Sequence, residues 1–476
     1  MGLRAASFLL IPLYTHSLPQ EDYGMLMTLE LSIQLMLIIM NCGMRPAVVR
    51  FTTQYERENR LSDLMGTSSL INVLMGLLVT GASLTVLLPI YKDVLHTDKV
   101  VLLVGLACCV SLFQSLSILL MSYYRAQNEA MKFMAVGIAA AGTLLATSYV
   151  LLLVMRMGLF GALLAKTITY AIVLLVLSVQ VFRKMGVRIS QSVVPELLWF
   201  GFPLALAMCG NLIIGGASLY FLSLLQGLRA VAVYSLGYKL AQIMTMLIIL
   251  PFQLSFQPLI CANLDSPNVR KNTARIFTYL ALAMAFASFA ILFGARMLLP
   301  LIAPPEYASA YLVILLLLPG MAFYGFSSFG ECLLNVARKT HVTGCTIAVI
   351  TVVSLGLNFL LVQVMGWPGA VLATNVSYGL SGLALLAAGL REFPLPIEWK
   401  RVSVAGGVAV SFLVAFFVVR DTNLILFGVT TLAAALLLVS LLFNSGFFHG
   451  EEVLVMKDIV HGKILKLGPS HRGVSR

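Results

Sequence analysis

Three charged side chains sit inside long apolar runs of this sequence, Glu30, Lys166 and Lys239, and of these Glu30 and Lys239 are the deeper. Ionisable groups in such places are costly and are functional candidates by default. At 100° per residue, Gln34, Asn41 and Arg45 fall within about 60° of Glu30 on one helical face. Ser235, Gln242, Gln253 and Gln257 fall within about 60° of Lys239 by the same arithmetic, with Pro251 bending the helix between them. Hydrocarbon cannot satisfy a polar stripe, so each must face protein or water. The chemistry on offer is recognition of a hydrophilic group. Glu30 is the one deep carboxylate suited to reversible protonation or cation binding. Either the stripes face each other across a central hydrophilic cavity, or each is satisfied within its own half.

Other charged residues have simpler readings. Lys166 lies near the outer surface, where snorkelling along its own stem accounts for it. Glu331, within a turn of an inner helix end, is expected to pair with Arg338 or Lys339 at the interface. Arg50 is equally a topology anchor or a phosphate contact.

No catalytic constellation, metal set or cofactor motif is visible. The seven cysteines show no CxxC and lie almost wholly in apolar runs, as packing residues do. All six histidines lie near helix ends or in the tail. GxxxxGK[ST] and DxD are absent. No loop between spans exceeds about two dozen residues, so a membrane glycosyltransferase or polymerase would have no room for its extramembrane region. The chain is expected not to be an enzyme. Turnover without a nucleotide leaves ion coupling or downhill movement.

The elements that must position these residues follow from composition. Of 476 residues 60% are hydrophobic and 11% charged, with a mean hydropathy of +0.98. Soluble domains carry roughly a quarter charged residues, so lipid is the solvent here. A crossing needs roughly 20 apolar residues. The apolar runs predict spans at 2–18, 24–42, 65–90, 100–122, 133–155, 161–182 and 197–223. A second set is predicted at 232–260, 275–302, 308–334, 342–365, 368–390, 402–419 and 424–443. Apolar blocks continue to the end of the chain, and no cleavable signal peptide is expected. The first span is short and holds Pro12, Thr15 and His16; either it starts upstream of Met1 or it is truncated.

Fourteen spans put both termini on one side. With that side inside, 23 of the 31 Lys and Arg fall in inner segments and 6 outside. The net charge of +12 is therefore a topology signal, not a nucleic-acid patch.

Residues 158–170, GLFGALLAKTITY, match 366–378, GWPGAVLATNVSY, at six of thirteen positions, 208 residues apart. Gly158, Gly161, Ala162, Leu164, Ala165 and Tyr170 pair with Gly366, Gly369, Ala370, Leu372, Ala373 and Tyr378. GxxGA is also a common start for a membrane helix. Its place in the sixth and twelfth spans nevertheless fits a duplicated six-helix unit, which usually carries its substrate path at the repeat interface. The predicted fold is an all-α polytopic membrane protein. Its parts are a six-helix lobe (1–182), a cytoplasmic linker (183–196), a second six-helix lobe (197–391), two further helices (392–443) and a cytoplasmic tail (444–476).

Several segments resemble, in order, those of the multidrug/oligosaccharidyl-lipid/polysaccharide exporter superfamily, in particular the bacterial polysaccharide-repeat-unit flippases of O-antigen and exopolysaccharide assembly. They are PLYTHSLPQEDYG (12–24), GMRPAVVRF (43–51), AVYSLGYKLAQI (232–243), EYASAYLVILLLLPG (306–320), RKT (338–340) and LNFLLVQVMGWPGAVLAT (357–374). The resemblance implies two lobes in a V. It implies alternating-access transport of a polyprenyl-pyrophosphate-linked oligosaccharide between leaflets of the bacterial inner membrane, through a cavity lined by spans including two, seven and eight. Arg50 and Lys239 match positions where such proteins often carry basic residues. Where the family commonly has Asp-Arg in span seven, this chain has Ser218 and Leu219.

The expected partners are the lipid-linked oligosaccharide and membrane lipids, with proton or sodium as candidate coupling ions and no nucleic acid. A monomer is expected, with polysaccharide-assembly proteins as its associates. The alternatives are a multidrug or cation antiporter of the same superfamily and a membrane glycan polymerase or ligase. The first usually has twelve spans and acidic ion sites in its first lobe, whereas here the first helix has no acid and two further helices are present; the second has a large outer loop, which is missing here.

Overall fold

A computed structural model describes residues 2–419, apart from 87, 96 and 98, and beyond them only Val429, Ala433, Ser440 and Phe447. Those four positions aside, the predicted span 424–443 and the tail 444–476 lie outside the described residues. The described regular elements are all helical. In chain order they are α1 (Gly2–Ser17), α2 (Gln20–Asn41), α3 (Met44–Arg57), α4 (Leu61–Thr85), α5 (Leu88–Leu95), α6 (Val100–Ala126), α7 (Ala130–Tyr149) and α8 (Gly158–Met185). There follow α9 (Val194–Leu225), α10 (Leu228–Ala241), α11 (Leu250–Ala262), α12 (Val269–Ile302), α13 (Ala310–Val336), α14 (Thr340–Met365), α15 (Trp367–Glu392) and α16 (Trp399–Val419). Among the described residues, eleven helical stretches are long and apolar enough to cross a membrane. The 16-residue α1 is shorter than those stretches.

Helices α1–α8 pack into one bundle and α9–α15 into another, with α16 lying against α12. Helix ends bearing Arg57, Arg125, Arg183 and Lys184 define a basic face. At the opposite face the bundles are joined closely. Thr15 donates its hydroxyl to the Ile302 carbonyl at 2.5 Å, Arg229 Nε donates to Glu21 Oε1 at 2.8 Å, and the Tyr23 and Tyr307 rings meet edge to face at 5.8 Å.

On the basic face the junction is made by the beginning of α9. Tyr55 donates to Glu196 at 2.6 Å, and Val193 and Leu197 belong to the core built by α3, α4, α6 and α8. Further along α9 the partners change: Ser218 bonds Asn358 on α14 and Thr374 on α15, at 2.6 and 2.9 Å. Helix α9 thus packs into both bundles.

Two helices depart from the continuous rods assumed from sequence. The predicted second span, 24–42, belongs to a longer stretch, α2 plus α3, broken where Cys42 and Gly43 take left-handed φ values of 46° and 72°. Asn41 mends the break, its Oδ1 accepting the Arg45 backbone N–H at 3.0 Å. Gly43 is also pressed against the Gly201 backbone of α9, leaving no room for a Cβ. Gly43→Ala should therefore cost about 2 kcal/mol or more, from the left-handed strain and the clash together. Gly158→Ala is the control, with φ 57° but open space around it. Thermal unfolding in detergent should show a clearly larger loss for Gly43→Ala. In the eighth predicted span, α10 ends at Ala241 and a π-turn over Thr245–Ile249 leads into α11. Pro251 has no N–H for the helical ladder, and the wider turn accommodates the gap.

Candidate functional site: a carboxylate between two lysines

Helices α2, α8 and α10 all begin at the opposite face. Glu30 lies ten residues into α2, Lys166 eight into α8 and Lys239 eleven into α10. At 1.5 Å per residue all three lie roughly 12–17 Å below that face, near the middle of the membrane. Lys239 Nζ donates to Glu30 Oε2 at 2.9 Å, and Lys166 Nζ donates to the other oxygen, Oε1. Lys166 and Glu30 come from one bundle, and Lys239 reaches across from the other.

The side chains of Glu30, Lys166 and Lys239 are 19%, 12% and 22% exposed, so the cluster is withdrawn but not dry. Two ammoniums against one carboxylate leave a surplus of one positive charge. Charges at this depth require partners or water, and the surplus cation is available to an anion.

Water-sized space surrounds the cluster in three adjoining compartments of about 280, 400 and 120 Å³, each bounded by Glu30, Gln34 and Lys239. The first extends to Gly215 and Tyr378, the second to Gln253 and Phe8, and the third to Lys166, Tyr170 and Gln114. The matched tyrosines of the internal repeat, Tyr170 and Tyr378, thus line this space from opposite bundles. Tyr378 is held by a 3.0 Å hydrogen bond to Tyr238.

Of the residues singled out in the sequence, Glu30, Gln34, Lys239, Gln242 and Gln253 come together around these compartments. Gln253 Nε2 also donates to Ser328 Oγ at 2.9 Å. Asn41, Arg45, Arg50 and Gln257 stand apart. A single helical phase does not survive the Cys42–Gly43 break, so Asn41 caps α3 instead of continuing the stripe, and Arg45 follows the new axis. Arg50 is exposed, its guanidinium over the Phe200 ring at 5.0 Å. Gln257, half-buried, lies a turn beyond Gln253 and does not border these compartments.

Two further expectations are corrected. Lys166 does not snorkel along its stem; it turns inward onto Glu30. The signal was present in the sequence, since three charges at one depth on helices starting from one face are placed to meet. Glu331 forms no ion pair with Arg338 or Lys339 among the described residues; it is half-buried on α13, while both cations are exposed. Ser218, where resembling proteins carry charge, is fully buried in the Asn358–Thr374–Tyr234 network, so this part of α9 offers the cavity no charge.

A family model described as polysaccharide biosynthesis protein matches residues 2–263, more than half of the chain. The chain belongs to that family. No curated protein matches it. Among solved structures, this polysaccharide biosynthesis family member is similar to the lipid II flippase MurJ in an inward closed conformation. The TM-score is 0.72 at 12% identity, covering 93% of this chain and 97% of that one. An inward-facing multidrug resistance MATE transporter of the MOP superfamily gives 0.64 at 13% identity, covering 86% and 96%. A MOP superfamily transporter from Pyrococcus furiosus, described as having a binding pocket of reversed polarity, gives 0.55 at 13%, covering 85% and 95%. At such identities the likeness shows the fold alone, which this all-helical polytopic membrane protein shares with them.

Proposed function

We propose that this member of the polysaccharide biosynthesis family flips a polyprenyl-pyrophosphate-linked oligosaccharide from the inner to the outer leaflet of the bacterial cytoplasmic membrane. The basic face is cytoplasmic in this reading. The observation that carries it is the Glu30–Lys166–Lys239 cluster, a net cationic group at mid-membrane depth inside a polar space walled by both bundles. A hydrophilic, anionic head needs both the polar walls and the surplus positive charge, while its hydrocarbon chain stays in the bilayer. A pyrophosphate meets Lys239 as a charge-assisted hydrogen-bond partner. Because Lys239 belongs to the second bundle and Glu30 to the first, an arriving anion competes with Glu30 across the boundary that must open in alternating access. The contacts among Thr15, Glu21, Tyr23, Arg229, Ile302 and Tyr307 then form the gate on the outer side.

Coupling to a proton or sodium through Glu30 requires its carboxylate to leave at least one ammonium first, since both oxygens are engaged. A multidrug antiporter for cations is disfavoured by the same cluster, whose surplus charge repels such cargo. The test is reconstitution in liposomes with a fluorescent polyprenyl-pyrophosphate glycan, scoring its accessibility to a membrane-impermeant quencher, beside a parallel assay of cationic dye transport. Glycan flipping without dye transport is expected. Dye antiport without glycan flipping would refute the reading.

A further inference from the structure

A second space lies along the seam between the bundles, where Leu355 is 39% exposed. It is a groove of about 250 Å³ lined by Leu31 and Leu35 of α2, Leu212, Ile213 and Phe221 of α9, and Leu355 of α14, among others. Its walls are carbon throughout. The one polar group nearby, the Tyr220 hydroxyl, is engaged by Ser32 Oγ at 2.5 Å. Along α9 from Leu212 to Phe221 the groove runs roughly 14 Å at helical rise, from mid-membrane depth toward the opposite face.

Groove and central cavity share a wall. Leu31, Leu212 and Gly216 border both. At Gly216 the wall is one side chain thick: a Cβ there would lie 2.5 Å from Leu31 Cδ1, so Leu31 seats directly on the glycine. A seam closed by one leucine against a backbone is closed by dispersion contacts alone, which a rotamer change can open.

We propose that this groove holds the polyprenyl chain of the cargo nearest its pyrophosphate while the head lies in the central cavity, with Leu31 as the door between them. The proposal rests on the flippase reading. The groove supplies what the polar cavity lacks, an apolar exit at the depth of Lys239. Its depth also sets the register of the molecule: the charged head sits beside Lys239 because the chain leaves the cavity at Leu31.

The experiment uses the full protein in nanodiscs and a polyprenyl-pyrophosphate glycan bearing a diazirine on the chain near the pyrophosphate. Irradiation should label the peptides holding Leu35, Ile213 and Phe221, and excess unlabelled polyprenyl-pyrophosphate glycan should suppress the label. Ile213→Trp, which fills the groove, should lose both the label and flipping. Val349→Trp, on an exposed part of α14 outside the groove, should keep both. Label spread over lipid-facing helices and indifferent to competitor would overturn the proposal. So would a diazirine phospholipid labelling the groove equally, or an Ile213→Trp protein that flips cargo at the wild-type rate. In each of these outcomes the wild-type protein still flips cargo, so the groove fails alone. A wild-type protein that moves no pyrophosphate-linked glycan overturns the parent reading instead.

Discussion

Glu30→Gln is expected to abolish glycan export and to lower stability by about 3 kcal/mol, because it leaves two withdrawn ammoniums facing a neutral amide. Breaking a buried pair by removing one partner typically costs about 3–5 kcal/mol, and residual hydration of the lysines places this case at the lower end. The double variant Glu30→Gln with Lys166→Met restores the native surplus of one positive charge. It should recover much of the lost thermal stability while export stays absent. Complementation of a flippase-deficient strain reads the export, and unfolding in detergent reads the stability. Normal export by Glu30→Gln would remove the cluster from the transport site.

Lys239→Ala has a different signature. Glu30 keeps Lys166 within its own bundle, so the fold loses an inter-bundle contact without stranding an unpaired carboxylate. Stability should change by about 1 kcal/mol or less, as for a partly hydrated pair. Transport of a pyrophosphate-linked cargo should fall by about tenfold or more, since a hydrogen bond to a charged group contributes roughly 1.5–3 kcal/mol. Lys239→Arg, which keeps the charge, should retain part of the rate. A Lys239→Ala protein that flips cargo normally but melts far earlier would make the residue a structural tie.

The sequence made the membrane fold legible because hydrocarbon imposes so strict a pattern: apolar runs of sufficient length, basic loops on one side, and a 208-residue repeat carried by Gly158–Tyr170 and Gly366–Tyr378. The meeting of Glu30 with Lys239 was one of two open possibilities, because helical phase fixes a face but not what lies opposite. Helical phase misled where the helix was not continuous. Cys42 and Gly43 reset it, and nothing in the local propensity of a single glycine announces that Gly201 will press against it. Lys166 was misjudged for another reason. The predicted spans start at 24 and 161, whereas α2 begins at Gln20 and α8 at Gly158, which sets both Glu30 and Lys166 deeper than the apolar runs suggest.

The path of α9 has a mechanical consequence. The covalent link between the bundles, residues 186–193, is fastened to the first of them: the Ser190 N–H donates to Thr67 at 3.0 Å and the Arg188 carbonyl lies against Gly66. The slack of that peptide is therefore not what sets how far the halves can swing. Any swing has to be taken up as bending of α9 itself, between Gly201 at the first bundle and Gly210 against Ile347 and Thr351 of the second, a stretch where Pro203 already removes one rung of the ladder. If the halves open as proposed, the amplitude is set by the bending stiffness of about three helical turns, and a longer or shorter linker should leave it unchanged.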